Sequence, residues 1–521
     1  MDVNSNAFRD RFRGKNYKNP ESSYILRKFR VVIATNDRKY HMVKSQSSET
    51  FHRWHVLAAV EVGNFVVYMD TFIVNLALPW MMSEFGVPIT TIKWVVVAYL
   101  LSLTVMLLTA GRITDMIGLR KLPSLAGMAL LTIGSGLCYI APSFGTLVAF
   151  RVLQGVGGAL VLCNVMSAIT YAFPPEKRTM AMSVNAAVLA LAQVTGLVMG
   201  GALIGRFGWR SVFLLGGALS MFGLLLDITV ISRPREPVLK REVSFDWPGS
   251  LLSILGVAVL FFGFERLGDD AGNSLGFWLI PAGLILLVLF AAVERKVRTP
   301  LLDPKLFRSR MFLFGSSAAG IYFIAAVSCY FMLPFYLQLA MGYPPLKAGM
   351  LMVPLSVGLA GTAPITTRLA RKISPFYLST AGMFLVFCSM AWFSTLTAHS
   401  HYIHAAVGLL ILGIGGGLFQ PPTNSSVLSA APTGSLSTAN GYLSTVRTMG
   451  QVIGAALSAQ LLSRGLDGTG LVDTIGKSLD ASSLAGHFSA YIAAQSTAFR
   501  VAAGVALVGI LVSMLRGRGN K

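Results

Sequence analysis

The stretch GVGGAL at 155–160 returns 258 positions later as GIGGGL at 413–418. A second stretch, GLVMGGAL at 196–203, returns as GQVIGAAL at 450–457 with an offset of 254. Two shorter matches elsewhere in the chain have offsets of 255 and 256. Small residues in apolar runs also serve plain helix packing, but four matches at nearly one offset indicate a duplicated chain.

The composition around these repeats combines strong positive charge with a strongly apolar chain. The 521 residues include 43 Lys and Arg against 22 Asp and Glu, a formal net charge of +21, yet 54% are hydrophobic and only 12% are charged. A soluble nucleic-acid-binding protein needs clustered basic residues on a hydrated face, so we expect no nucleic-acid partner. All four cysteines lie in apolar runs, which excludes a disulfide scaffold.

Fourteen apolar runs are long enough to cross a bilayer, because about 20 helical residues span its ~30 Å hydrocarbon core. They lie at roughly 56–78, 94–111, 122–141, 145–170, 183–205, 211–232, 248–267, 275–293, 312–338, 348–366, 376–396, 403–422, 440–462 and 497–515. The first six match the last six in the same orientation. We therefore predict an all-α polytopic membrane protein, with two parallel six-helix bundles and two inserted transmembrane helices. Parallel halves of this kind are typical of transporters that bind substrate near the membrane midplane.

The distribution of basic residues predicts the orientation. With a cytoplasmic N-terminus, 33 of the 43 basic residues lie on the cytoplasmic side, as the positive-inside rule requires. We expect both termini in the cytoplasm and a multi-pass protein of the plasma (inner) membrane. Four regions follow: a basic tail (1–53), an N-terminal bundle (54–232), a linker with two extra helices (233–310) and a C-terminal bundle (311–521). Residues 1–41 either precede a true start at Met42 or form a basic tail that contacts anionic lipid.

Several motifs carry a family resemblance. The sequence MDTFIVNLALP at 69–79 resembles the first-span signature LDxTIVNVALP, and RVLQG at 151–155 resembles the RxxQG of span four. The loop GRITDMIGLRK at 111–121 resembles the GxLaDrxGrkxxl motif. Over about 54–515 the chain resembles a major facilitator superfamily transporter, specifically the fourteen-span drug:proton antiporter group.

The resemblance implies a secondary active transporter, not an enzyme, that exports hydrophobic, cationic small molecules by alternating access. The proton gradient would drive transport without a cofactor. The protein would act as a monomer, with the substrate, protons and the lipid bilayer as its partners. The span-five antiport motif is incomplete: Leu197 replaces its proline, although Gly196, Gly200 and Gly201 still permit close packing. A proton-coupled uptake carrier of a nutrient or anion is therefore the alternative, and a membrane sensor without transport is a third.

Ionisable residues inside the hydrocarbon predict the coupling site, since burying them is costly. Asp70 and Arg151 both lie ~21 Å from the cytoplasmic edge at 1.5 Å per helical residue. We predict that Asp70 accepts the proton and that Arg151 tunes its affinity; the alternative is a static ion pair. Glu61 is a second coupling candidate, or a solvated residue near the inner interface. It points away from Asp70, nine positions along the helix.

Two further groups complete the predicted sites. A gating loop that holds the inner side shut comprises Gly111, Arg112, Asp115, Gly118, Arg120 and Lys121; the alternative is that its basic residues only follow the positive-inside rule. Cavity candidates, which plain helix packing also explains, are Tyr68, Asn75, Gln154, Gln338 and Arg447. Arg447 contacts an anionic substrate, caps an inner gate or reaches the interface. We expect no metal at His399, His401 and His404, and no nucleotide site, because the glycine-rich runs lack the required spacing.

Overall fold

The computed structural model describes residues 54–117, 121–173, 175–230, 246–267, 275–297, 304–370, 372–397, 400–430, 436–466 and 488–517. The predicted tail at 1–53 lies outside the described residues. Fourteen long helices occur in the described part, in the order of the predicted runs. They are α1 (Trp54–Phe85), α2 (Trp94–Ile117), α3 (Lys121–Tyr139), α4 (Phe144–Ala172), α5 (Pro175–Phe207), α6 (Ser211–Val230), α7 (Trp247–Leu267), α8 (Leu275–Glu294), α9 (Arg310–Phe335), α10 (Pro345–Leu369), α11 (Pro375–Phe393), α12 (Tyr402–Ser429), α13 (Leu436–Leu466) and α14 (Phe488–Leu515).

Twelve of the described helices are long and apolar enough to cross a membrane, by length and composition. The other two are α7 and α13. The apolar part of α7 is limited to Trp247–Gly263, and α13 carries Arg447, Arg464 and many Ser, Thr and Gln residues. The count of fourteen spans therefore stays a prediction, whereas an all-helical, multi-helix fold is observed.

The helices of the two halves pack in the same pattern. Close packing of α2 on α4, α3 on α4 and α3 on α6 is repeated eight helices later, as α10 on α12, α11 on α12 and α11 on α14. The halves meet where α5 packs on α10 and where α2 packs on α13. In the repeat, α5 corresponds to α13 and α2 corresponds to α10, so the two contacts are equivalent. The inserted helices α7 and α8 pack against each other, and α7 also lies against α2.

The repeat extends to single turns of the backbone. Gly86 follows the last residue of α1 with φ 62°, and Gly342 follows a five-residue π-helical segment, Tyr336–Ala340, that continues α9, with φ 63°. This left-handed conformation carries no steric penalty only for glycine, and it ends a helix cleanly. Since the two glycines are 256 positions apart, the turn repeats with the spacing of the sequence matches.

We call the end of the bundle near Gly86 and Gly342 the Phe85 end, and the opposite end the Trp54 end.

Short sequence signals begin the helices of the C-terminal half. Pro345 and Pro375 occupy the first turns of α10 and α11, where a missing N–H costs nothing. The Ser309 hydroxyl caps α9 by accepting a hydrogen bond from the Phe312 N–H.

Candidate transport site

A buried ion pair joins α1 to α4. The Nη1 of Arg151 donates to the Oδ2 of Asp70 at 2.6 Å. Arg151 is 0% exposed and Asp70 is 5% exposed, so water screens the pair very little. The structure thus brings together the two residues that helix depth placed at one level; their role in coupling stays a prediction.

The remaining donors of Arg151 are also used. Its Nε donates to the carbonyl oxygen of Val95 at 2.8 Å, and Nη1 donates to the Oε1 of Gln154 at 2.8 Å. Its guanidinium lies 4.3 Å from the centre of the Tyr99 ring, and Gln154 in turn donates to the Ser135 hydroxyl at 2.7 Å. Besides Asp70, Arg151 therefore has partners on α2 and on its own helix, and Gln154 links it onward to α3.

The glycines of the incomplete span-five motif hold α5 against α1 beside this pair. A Cβ at Gly196 would lie 2.9 Å from the Met69 carbonyl oxygen, and one at Gly200 would lie 2.4 Å from Ile73. At Gly201 the near neighbour is in the other half, with the Pro345 carbonyl oxygen at 2.5 Å. The motif therefore packs α5 on both halves.

The structure places Glu61 in a separate site. Its carboxylate accepts hydrogen bonds from the Asn64 and Asn185 side-chain amides, at 3.1 and 2.9 Å respectively, and it is 4% exposed. Glu61 lies about 13 Å along α1 from Asp70 at 1.5 Å per residue. The two acids are thus not one dyad. A third acid, Asp227 on α6, accepts a hydrogen bond from Ser124 at 2.5 Å.

Tyr68 and Arg447 face one another across the junction of the halves. The Arg447 guanidinium on α13 interacts electrostatically with the hydroxyls of Tyr68 on α1 and Tyr322 on α9. One Nη of Arg447 also donates to the side-chain oxygen of Asn424 on α12. Tyr68, Asn424 and Arg447 are all partly exposed, as the walls of a cavity between the halves require.

At the Phe85 end, two hydrogen bonds tie the halves together. The Trp80 indole N–H donates to the Oε1 of Gln338 at 3.0 Å, and the Nε2 of Gln338 donates to the Leu76 carbonyl oxygen at 3.0 Å. Close to them, Gly349 of α10 lies against the Leu197 carbonyl of α5. Gln338 thus belongs to a link between halves. Asn75 donates to Thr71 one turn back on its own helix at 2.6 Å.

Comparison with known proteins identifies the family. The Major Facilitator Superfamily pattern matches residues 60–455, which is most of the chain. This chain belongs to the Major Facilitator Superfamily. It is therefore a multi-pass membrane transporter of small molecules and not an enzyme.

Individual members of the superfamily resemble the chain over most of its length. The riboflavin transporter RibZ of Clostridioides difficile is 28% identical over 462 residues, 89% of this chain and 97% of that protein. The multidrug resistance protein Stp of Mycobacterium tuberculosis is 29% identical over 421 residues, 79% and 76% of the two chains. A crystal structure of a bacterial homologue of the human lysosomal transporter Spinster has a TM-score of 0.65 at 16% identity, and covers 89% of this chain and 97% of that one. The last likeness concerns the fold alone.

The superfamily loop between α2 and α3 is only partly described. Gly111 lies near the end of α2, with open space around its Cα. Gly118 and Arg120 lie outside the described residues, as do the side chains of Arg112, Asp115 and Lys121. The gating contacts therefore remain a prediction.

Some polar residues of this superfamily member were not predicted from the sequence. They are Trp80, Asn185, Tyr322 and Asn424. Asn185 and Asn424 carry a usable signal, because each is an amide on an otherwise apolar helix with its partner on another helix. Trp80 directly follows the first-span signature, but nothing in the sequence indicates its partner Gln338, 258 positions away.

We expect Gln338→Leu to loosen the Phe85 end. The change removes two hydrogen bonds between the halves, each worth about 1 kcal/mol, so opening should become on the order of tenfold more frequent. Hydrogen–deuterium exchange of the peptides 76–85 and 336–343 measures this directly. Tyr336→Phe is the matched control, since its hydroxyl donates to Thr397 within one half. Equal exchange at 76–85 in both variants would contradict the assigned link.

Proposed function

We propose that this transporter is a proton-coupled exporter of hydrophobic small molecules that works by alternating access. The observation that carries the proposal is the Asp70–Arg151 pair, which is buried, joins two helices of one half, and leaves Arg151 with other partners. Those extra partners would hold Arg151 in place when the carboxylate is neutral, as a coupling role requires.

Proton coupling follows from the chemistry of such a pair. A proton that reaches Asp70 neutralises the carboxylate and weakens its attraction to Arg151. Because Asp70 lies next to Met69, whose carbonyl is in contact with Gly196, a shift of α1 is transmitted to α5. Helix α5 packs on α10 of the other half, so protonation biases the contact between the halves.

The orientation proposed from charge makes the Phe85 end extracellular. All fourteen helices then cross the plasma membrane, with α13 shielding its polar face inside the bundle and both termini in the cytoplasm. The link through Gln338 corresponds to a state closed on the outside. We also propose that the protein works as a monomer and that the proton gradient is its source of energy.

Similarity to the multidrug resistance protein Stp favours export. Similarity to the riboflavin transporter RibZ favours a second candidate, proton-coupled transport of a nutrient. The sequence also predicts a cationic substrate. However, the charged residue that the structure describes on the cavity side of the C-terminal half is Arg447, which is itself a cation. The charge of the substrate is therefore argued separately below.

Transport by purified protein in liposomes tests the proposal. Fluorescein, an anion, and rhodamine 123, a cation of the same ring system, serve as probes, with riboflavin as the nutrient. We expect accumulation of a dye in liposomes with an acidic interior, because protons leave as substrate enters. Accumulation only when the exterior is acidic would replace export by uptake. Equal accumulation with and without a pH gradient would remove proton coupling.

A further inference from the structure

The two arginines inside the helical bundle have different surroundings. Arg151 has a carboxylate, a carbonyl, a side-chain amide and an aromatic ring as partners. Arg447 donates only to Asn424, and its Nε is shielded from solvent without a hydrogen-bond partner. Among the described residues, no carboxylate lies within ion-pair distance of Arg447. A charge inside a membrane protein without a counter-ion is costly, so this site favours a ligand of opposite charge.

Contacts with the N-terminal half and with α12 locate the Arg447 guanidinium. Helix α13 begins at Leu436, four residues earlier than the apolar run predicts, so Arg447 is about 16 Å from that helix end at 1.5 Å per residue. The guanidinium interacts with Tyr68 of α1 and donates to Asn424 of α12, which puts it at the junction of the halves. Its reach to the membrane interface stays the alternative prediction.

The groups around Arg447 suit an anion. The hydroxyls of Tyr68 and Tyr322 interact with the guanidinium, and Tyr68, which is partly exposed, can donate to an anionic oxygen. Glu61 interacts with Tyr68 rather than with Arg447. Tyr322 is buried and accepts a hydrogen bond from Gln420 at 3.3 Å, so it supports the cluster from within the C-terminal half.

One partly exposed ring lies beside this cluster. Phe72 follows Tyr68 by one turn of α1 and meets the buried Tyr330 of α9 edge to face at 5.3 Å, so these two rings bridge the halves. Tyr322 and Phe419 stack on each other and are each 1% exposed, so they belong to the core of the C-terminal half. The Phe72 ring suits the apolar part of an organic anion.

We infer that Arg447, with Tyr68, binds the anionic group of an apolar organic substrate in the cavity between the halves. The inference rests on the proposed function, because it names the substrate class of that same cavity. A cation placed against the guanidinium would meet like-charge repulsion, whereas a carboxylate or phosphate accepts its two-pronged hydrogen bonds.

Dye binding without a pH gradient tests this inference separately from transport. Purified full-length protein in lipid nanodiscs is titrated with fluorescein and with rhodamine 123, and binding is followed by fluorescence anisotropy. We expect tighter binding of fluorescein, and an affinity loss for fluorescein of about tenfold or more in Arg447→Gln. Rhodamine 123 should bind Arg447→Gln at least as well as it binds the unchanged protein.

Arg464→Gln is the matched control, because it removes the same charge from an exposed position of the same helix. It should leave fluorescein binding unchanged. Arg447→Lys keeps the charge and should retain part of the affinity. If Arg447→Gln does not fold, as judged by its thermal unfolding, Tyr68→Phe replaces it and should weaken fluorescein binding alone.

Equal loss of both dyes in Arg447→Gln, tighter binding of rhodamine 123 than of fluorescein, or no binding of fluorescein would each overturn the inference. Preferential fluorescein binding that depends on Arg447, combined with failure of proton-driven transport, would instead sustain the anion site and reject the proposed function.

Discussion

Asp70→Asn is expected to abolish proton-driven dye accumulation in liposomes, down to the level of liposomes without protein. The amide cannot take up and release a proton in this pH range, so the coupling step is lost. The same change leaves Arg151 buried without its counter-ion, which costs about 3–5 kcal/mol. The midpoint of thermal unfolding should therefore fall as well. Dye binding without a gradient should persist, because Asp70 contacts Arg151 rather than the Arg447 cluster.

A double variant separates coupling from structural support. Asp70→Asn combined with Arg151→Gln removes both charges, and should recover much of the lost thermal stability because no unpaired charge remains. Transport should stay absent. If the double variant regained proton-driven transport together with its stability, the pair would be a static ion pair and the coupling role would be wrong.

An exposed ion pair on the same helix provides the control for this experiment. Glu84, near the end of α1, pairs with Arg210, and their side chains are 46% and 32% exposed. Such pairs contribute at most about 1 kcal/mol. Glu84→Gln should therefore transport and unfold like the unchanged protein.

Gly349→Ala is expected to arrest the transport cycle. A Cβ at Gly349 would lie 2.1 Å from the Leu197 carbonyl oxygen and 2.9 Å from its carbonyl carbon, so α10 must move away from α5. Overpacking of this kind costs about 1–3 kcal/mol. The cost falls only on the state closed at the Phe85 end, which should lose population by roughly 10- to 100-fold.

Distance measurements between spin labels check this prediction. Cysteines that replace the exposed Phe207 on α5 and Lys347 on α10 carry the labels, in a background without the native cysteines. We expect longer distances in Gly349→Ala, together with loss of transport. Gly361→Ala, on the same helix with no atom within 4 Å of its added Cβ, should keep both the distances and the transport of the unchanged protein. Similar distances in the two variants would show that the α5–α10 contact does not govern closure.

The length of apolar runs predicts the helices of this fold well, because a helix that crosses hydrocarbon must be long and apolar. It predicts their ends less well. Helix α14 begins at Phe488, nine residues before the predicted 497. Ser496 lowers the hydropathy of this stretch, yet its hydroxyl donates to the Ser394 carbonyl oxygen at 2.6 Å. Tertiary contacts that satisfy polar residues are invisible to hydropathy.

Residue spacing along a helix also predicts how deep a side chain lies in the membrane better than it predicts which neighbouring helix the side chain faces. Asp70 and Arg151 could be placed at one level from 1.5 Å per residue, and the structure puts them in contact. The surroundings of Gln154 and Gln338 could not be predicted in this way. Gln154 bonds Arg151 one turn back on α4, while Gln338 reaches α1 across the junction of the halves. Both outcomes depend on which face of each helix meets its neighbour, and this is set by packing over more than 200 positions.

The inserted pair α7–α8 has a mechanical consequence. The described contact of α7 with the N-terminal half is on α2, where Trp94 stacks on Phe262 at 5.5 Å and meets Phe261 edge-on at 6.0 Å. The covalent connection between the halves thus runs through a hairpin mounted beside one half. Because this connection lies beside one half, it resists rotation of the halves very little. The halves can therefore pivot without stretching the chain that joins them.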